Sequence, residues 1–203
     1  MKNFIKISLL LCIASMVFTN CNNDTPTTDK GVVINGVRWA TRNVDKPGTF
    51  TKNPEESGMF YQWNSKVGWS SSDPFVNSNG GTEWNNNEPA GDWRQENDPC
   101  PCGWRLPTQG ELEILKNVQS EWGALNGVLG RYFGSGEQRL FLPAAGNRDG
   151  SSGSLYRTGS DGYYWSSTPN GTYAYYMYFN SGDFYRGVNP IASGFSLRCV
   201  ADK

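Results

Sequence analysis

Between Thr51 and Asp98 the chain is laid out largely in turn-forming residues: Ser70-Ser71-Ser72, the run from Asn77 to Gly81, Asn85-Asn86-Asn87 and Pro89. Such tracts bend the backbone through short side-chain hydrogen bonds and positive φ angles, and they cannot sustain a helix. Only Met59 to Trp63 reads there as a short ordered element. Trp63, Trp69, Trp84 and Trp93 punctuate the stretch, which predicts a packed loop layer rather than a disordered linker. Aromatic residues make up 14% of the chain, enough for a core and for stacking platforms alike, so their number does not separate packing from ligand binding.

The ordered elements lie on either side of that layer. Gly31-Val32-Val33-Ile34 and Val37-Arg38-Trp39-Ala40 flank Asn35-Gly36, the pair favoured in two-residue hairpin turns. One helix is predicted from Thr108, where Pro107 precedes a capping box closed by Glu111; Leu112, Leu115 and Val118 form its apolar face, and Gly123 closes it after Trp122. Turns are expected at Gly130 to Gly136 and Asp149 to Gly153, with a short buried strand at Leu140-Phe141-Leu142. Tyr173 to Phe179 reads as a strand with Tyr176 and Tyr178 on one face and Tyr173, Tyr175 and Met177 on the other. Asn180-Ser181-Gly182 turns the chain, Phe184 and Tyr185 resume it, and Phe195, Leu197 and Cys199 alternate in a final strand. With 203 residues, these elements make one α+β domain with small antiparallel sheets, one principal helix and long loops.

No histidine is present, which removes imidazole bases, Ser-His-Asp triads and histidine-bound zinc. Carboxylate chemistry stays open. The balance of 18 basic against 19 acidic residues, without a basic run, argues against a nucleic-acid surface. At the N-terminus, Lys2 and Lys6 precede an apolar run from Ile7 to Phe18 that is too short to span a membrane. It ends near Cys21, which resembles the acylated cysteine of exported bacterial lipoproteins, although Asn20 stands where that motif keeps a small residue. Residues 1–20 are therefore expected to be a signal peptide and residues 21–30 a lipid-anchored tether, with the domain over 31–200. Cys100, Cys102 and Cys199 then remain, an odd number, and spacing leaves open whether Cys100 or Cys102 bridges Cys199.

Five blocks carry a family pattern. They are Arg38-Trp39-Ala40-Thr41-Arg42-Asn43-Val44, Asp98 to Thr108 with Cys100-Pro101-Cys102-Gly103-Trp104-Arg105-Leu106-Pro107 inside it, Leu142 to Arg148, Tyr164-Trp165-Ser166-Ser167-Thr168, and Gly194 to Val200. In this order they resemble the Fibrobacter succinogenes major paralogous domain (FISUMP), over about Gly31 to Val200. The resemblance implies a branch of the C-type lectin-like fold, found mainly on secreted or lipid-anchored bacterial proteins. It also implies a Cys100 to Cys199 disulfide, with Cys102 an additional, reduced thiol. Arg105 to Glu111 resembles the matching stretch of formylglycine-generating enzymes, but their catalytic cysteine arrangement is not evident.

Function is expected in the loop layer. Trp69, Trp84 and Trp93 offer indole faces to a sugar, and Asn86 with its neighbours offers amide donors and acceptors. Glu88-Pro89 superficially resembles the sugar-binding loop of calcium-dependent lectins, with Ala90 in place of the amide. Glu83, Glu88, Asp92, Glu96 and Asp98 supply oxygens for calcium or form a solvated acidic loop. No other cofactor is expected. The principal reading is a non-catalytic recognition or adhesion domain of a cell-surface, outer-membrane lipoprotein, binding an extracellular glycan or surface protein. The alternatives are a hydrolase or modifying enzyme using carboxylates such as Glu83, Glu88 or Asp92, and a surface-assembly or fimbria-associated protein using the loops or an uncovered strand at Tyr173 to Phe179. For each indole the competing expectation is that it pins the loops to the domain.

Overall fold

The computed structural model describes residues 29–86, 92–136 and 138–202. The expected signal peptide, Cys21 and most of the tether lie outside these residues. In chain order the elements are β1 (Val32–Ile34), β2 (Val37–Trp39), β3 (Phe60–Tyr61), β4 (Gly68–Trp69), β5 (Trp104–Arg105) and the helix α1 (Gln109–Lys116). There follow β6 (Ser120–Leu125), β7 (Val128–Phe133), β8 (Leu140–Pro143), β9 (Asn147–Arg148) and β10 (Leu155–Tyr156). The last four are β11 (Gly162–Asn170), β12 (Tyr173–Phe179), β13 (Phe184–Pro190) and β14 (Val200–Ala201). The protein is thus α+β, with several small antiparallel sheets and one α-helix among the described residues.

Asn35 and Gly36 both take positive φ, 46° and 83°, as a hairpin turn that follows the strand twist requires. β1 and β2 pair across it, and β14 and β5 extend that sheet in the order β1-β2-β14-β5. Val200 pairs with both Trp39 and Arg105. The end of the chain therefore seals the beginning to the middle.

The helix begins as its capping box dictates. The Thr108 hydroxyl accepts from the Glu111 N–H at 3.3 Å, and the Glu111 carboxylate accepts from the Thr108 N–H at 2.8 Å. Arg105 forks onto the same carboxylate at 2.6 and 2.8 Å. Burial by itself would raise the Glu111 pKa, but these donors outweigh it and hold the value at about 2. A folded-state value below the unfolded 4.5 contributes stability that is complete above about pH 4.5 and is lost as pH falls toward 2. Thermal melts taken from pH 5 down to pH 2 should show this loss. Glu111→Gln should lower stability at pH 6 and flatten that part of the profile; an unchanged acid limb would show that Glu111 is not its source.

The helix ends at Lys116, six residues before the expected Trp122. Asn117 donates its N–H to Ile114 O at 3.2 Å, a tightened last turn, and Ser120–Leu125 leaves as β6. The cause is a second Asn-Gly turn: Asn126 and Gly127 take φ of 48° and 86° and fold β6 onto β7, with Trp122 opposite Arg131. Gly130 likewise belongs to β7, not to a turn. A Cβ there would lie 2.3 Å from Leu142 O and 2.6 Å from the Phe141 ring, so the glycine permits close approach of β8.

β11, β12 and β13 form the central three-stranded sheet in that order. Tyr163 and Trp165 share a face with Tyr176 and Tyr178, and Tyr164 lies opposite Met177 on the other face. One face packs on Tyr61, Trp63, Phe195 and Leu197, the other on Leu112, Leu115, Phe133 and Trp39. Two covered faces explain the continuous burial of residues 176–179. β12 is the middle strand, which corrects the expectation of an uncovered strand at Tyr173 to Phe179. The expected strand through Phe195, Leu197 and Cys199 is also corrected: only Val200–Ala201 is regular strand. Upstream the chain is extended but changes partner at nearly every step, bonding Tyr61, Tyr163, Val44 and Ala40 in turn, so it is buried on both sides rather than alternately.

Cys199 is bonded to Cys100, as the family resemblance implies. Cys102 is also disulfide-bonded, which corrects the expectation of a reduced thiol.

Candidate functional site

The loop layer is mounted on the scaffold by a buried guanidinium. Arg148, on β9, is fully buried and donates from Nε to Ser70 O at 2.8 Å and from Nη2 to Ser72 O at 2.8 Å. Nη1 donates to Gly153 O at 2.7 Å and meets Asp73 Oδ1 at 3.2 Å. Burial lowers its pKa, and Asp73 acts in the opposite sense. The guanidinium also lies 5.1 Å from the centre of the Phe75 ring. One side chain thus gathers the carbonyls of two loops that supply no strand ladder for them.

The aromatic rings complete the anchorage. Trp69 stands 5.0 Å from Trp84 and 5.4 Å from Phe75, centre to centre. Trp84 donates its indole N–H to Gly150 O at 2.9 Å. Its ring covers Gly153 and Gly194, where added Cβ atoms would lie 2.8 and 3.0 Å from indole carbons; the two glycines leave the hollow in which the indole sits. Beyond it, Gln62 donates to Asn85 O and, at 3.0 Å, to Ala192 O. Asn77 Oδ1 holds the turn before it by accepting from Asn79 N and Gly81 N.

The residues singled out from sequence separate on this geometry. Trp69 is 3% exposed and presents no face for stacking. Trp84 is half-buried, with Asn86 exposed two residues on. Trp93 is half-buried, edge-on to Trp63 at 5.5 Å, and hydrogen-bonds Asp98. Glu88 lies outside the described residues. Glu83, Asp92 and Glu96 are exposed. Asp98 is committed to the fold, accepting from Cys100 N and Leu106 N at 2.9 Å each; burial raises its pKa despite these bonds. Among the described residues no group of three or more Cys, Asp or Glu side chains is arranged to hold a metal ion.

A second polar and aromatic cluster escaped the sequence reading. Asp161 Oδ2 accepts from Tyr178 at 3.1 Å, Tyr163 at 3.3 Å and Arg157 Nη1 at 3.1 Å. Asn180 donates to the Tyr178 hydroxyl at 2.8 Å, and Tyr185 packs on Tyr178 at 4.6 Å. Burial, and secondarily the Asp161 charge, raises the Tyr163 pKa; Tyr178 is raised as well, burial again leading. Both phenols are therefore protonated donors at neutral pH. The signal was present in the register: pairing Tyr163 with Tyr178 puts Asp161, two residues earlier, at the same edge.

Residues 132–200 match the family model of a domain of unknown function (DUF8237). That segment contains Arg148, the tyrosine cluster and Cys199, but not the Trp69 to Trp93 loops. No curated protein matches the chain, and no solved structure does.

Proposed function

We propose that this protein is a non-catalytic recognition or adhesion domain of an exported bacterial cell-surface protein, carried on a C-type lectin-like fold. The five FISUMP-like blocks support the fold reading, and the basic start and apolar run support export. The ligand is an extracellular glycan or a surface protein. The observation that carries the reading is the mounting of an amide-rich loop on Arg148 and the Trp69-Phe75-Trp84 cluster. Binding residues concentrate on loops held by a rigid base, because less ordering entropy is then lost on contact. Trp84 serves as anchor and as platform edge, and Asn86 as the exposed polar contact.

A glycan array, screened with and without calcium, tests this on wild-type protein, Asn86→Ala and Trp84→Ala, with melting temperatures measured on the same samples. Asn86→Ala should lose binding while its stability stays within about 0.5 kcal/mol, as is usual for an exposed side chain. Trp84→Ala should lose both binding and stability. Absence of binding by the wild type to any glycan or isolated surface protein would overturn the proposal. So would undiminished binding by both variants.

A further inference from the structure

The central sheet ends on β13, and the outward backbone groups of that strand meet no backbone partner among the described residues. The hydrogen-bond phase follows from β11: Ser196 N donates to Tyr163 O at 3.0 Å and Trp165 N donates to Ser196 O at 3.2 Å, so residues 163 and 165 turn away from β12. Antiparallel alternation then turns Gly162 and Tyr164 toward β12 and Tyr176 and Tyr178 toward β13, where they meet Gly187 and Tyr185. The Asn180 N to Asp183 O bond in the adjoining turn has the same phase. Arg186 and Val188 consequently direct N–H and C=O outward, and no backbone partner among the described residues meets them.

The side chains on that edge give it a chemical preference. Arg186 and Val188 stand opposite Met177 and Tyr175, on the face that carries α1. Val188 is 43% exposed. Arg186 reaches Glu113 of α1 at 2.8 Å and lies over Tyr175 at 5.3 Å. Between helix and edge runs a shallow groove floored by Leu112, Met177 and Phe184, with Lys116 and Arg186 set against the single carboxylate of Glu113. The cations are in excess there. Pro190 closes the edge, since it has no N–H to offer.

We propose that β13 receives an extended segment of another protein by strand addition, and that the segment carries an acidic and an apolar side chain two residues apart. The acidic residue lies opposite Arg186 and the apolar one opposite Val188, both on the helix face, while the main chain bonds the outward groups of the two. A second copy of this chain suits the edge less well. Two β13 strands paired about Gly187 bring their Arg186 and Lys116 cations to one seam. The loop surface is not involved, so failure of the glycan screen leaves this assignment standing.

The test uses two fluorescein-labelled nonapeptides in a Ser/Thr frame, one with Val and Glu two residues apart and the other with Lys in place of Glu, titrated by fluorescence anisotropy. The Glu peptide should bind at least ~10-fold more tightly than the Lys peptide, an advantage that shrinks with salt. Val188→Pro removes an outward N–H without touching the β12 ladder; it should weaken binding at least ~10-fold with little change in melting temperature. Arg186→Glu leaves every backbone donor in place and should reverse the peptide preference, which keeps the test intact if the proline variant does not fold. Equal affinity for both peptides, no saturable binding, or full binding by a folded Val188→Pro would each overturn the proposal. So would a wild-type dimer that Val188→Pro converts to monomer and that the Glu peptide does not dissociate, since the occupant would then be a second copy.

Discussion

Replacing Cys100 and Cys199 together by alanine is expected to lower the unfolding free energy by about 4 kcal/mol, a large share of the roughly 5–15 kcal/mol by which an ordinary domain is stable. The bridge spans a sequence separation of 99 residues, and a closed loop of that size removes a large share of the conformational freedom of the unfolded chain. Cys199 is fully buried and immediately precedes Val200, which pairs with Trp39 and Arg105. The bridge therefore locks the same closure that β14 makes by hydrogen bonding. Reductant is the wrong perturbation, because Cys102 is also disulfide-bonded and would open with it. Urea unfolding of the oxidised wild type and of the double variant isolates the one bridge. The midpoint should fall sharply with little change in native circular dichroism. A loss below about 1 kcal/mol would show that core packing and the β14 pairings restrain the terminus without the bridge.

What the sequence revealed follows from how local each determinant is. Asn35-Gly36 and the Thr108 to Glu111 capping box act over two to four residues, and both are present as read. The end of the helix was misread because Leu112, Leu115 and Val118 keep helical spacing into a segment whose fate is set by Asn126-Gly127, the same dipeptide signal as the first hairpin, and by pairing with β7. The final segment could not be read from alternation, since it bonds a different partner at almost every residue. Among the proposed contact residues the limit was of the same kind. An indole in a polar tract has the same sequence context whether its residue stays half-buried, as Trp84 does, or is sealed under neighbours, as Trp69 is. Which occurs depends on Gly153 and Gly194, at least 69 residues away in the chain, where the absence of a Cβ makes room for Trp84.

Arg198→Met is expected to cost about 3 kcal/mol or more, although it replaces a buried cation with an apolar side chain of comparable length. Arg198 is 1% exposed. Its Nε and Nη2 donate to Asn43 Oδ1 at 2.9 and 2.8 Å, and Nη1 donates to Ala40 O at 3.2 Å and Phe141 O at 3.1 Å. Asn43 passes the connection on, donating to Ser57 O at 2.9 Å and to the Tyr164 hydroxyl at 3.3 Å, which itself donates to Pro143 O at 2.9 Å. Burial draws the guanidinium pKa down to about 10, so the group remains a cation at neutral pH. Desolvating it is costly, and buried ionic groups elsewhere have been replaced by apolar ones with a gain in stability. The difference here is the partner set: the guanidinium is held by one amide oxygen and two carbonyls from two segments, 40–43 and β8, and methionine leaves all three buried acceptors short of a donor. Arg198→Lys should lie between the two, because one ammonium keeps the charge but cannot span acceptors that the planar fork reaches together. Urea unfolding of both variants ranks them. If Arg198→Met equals or exceeds the wild type in stability, the desolvation cost outweighs the network, and the hub is a liability that the surrounding core tolerates.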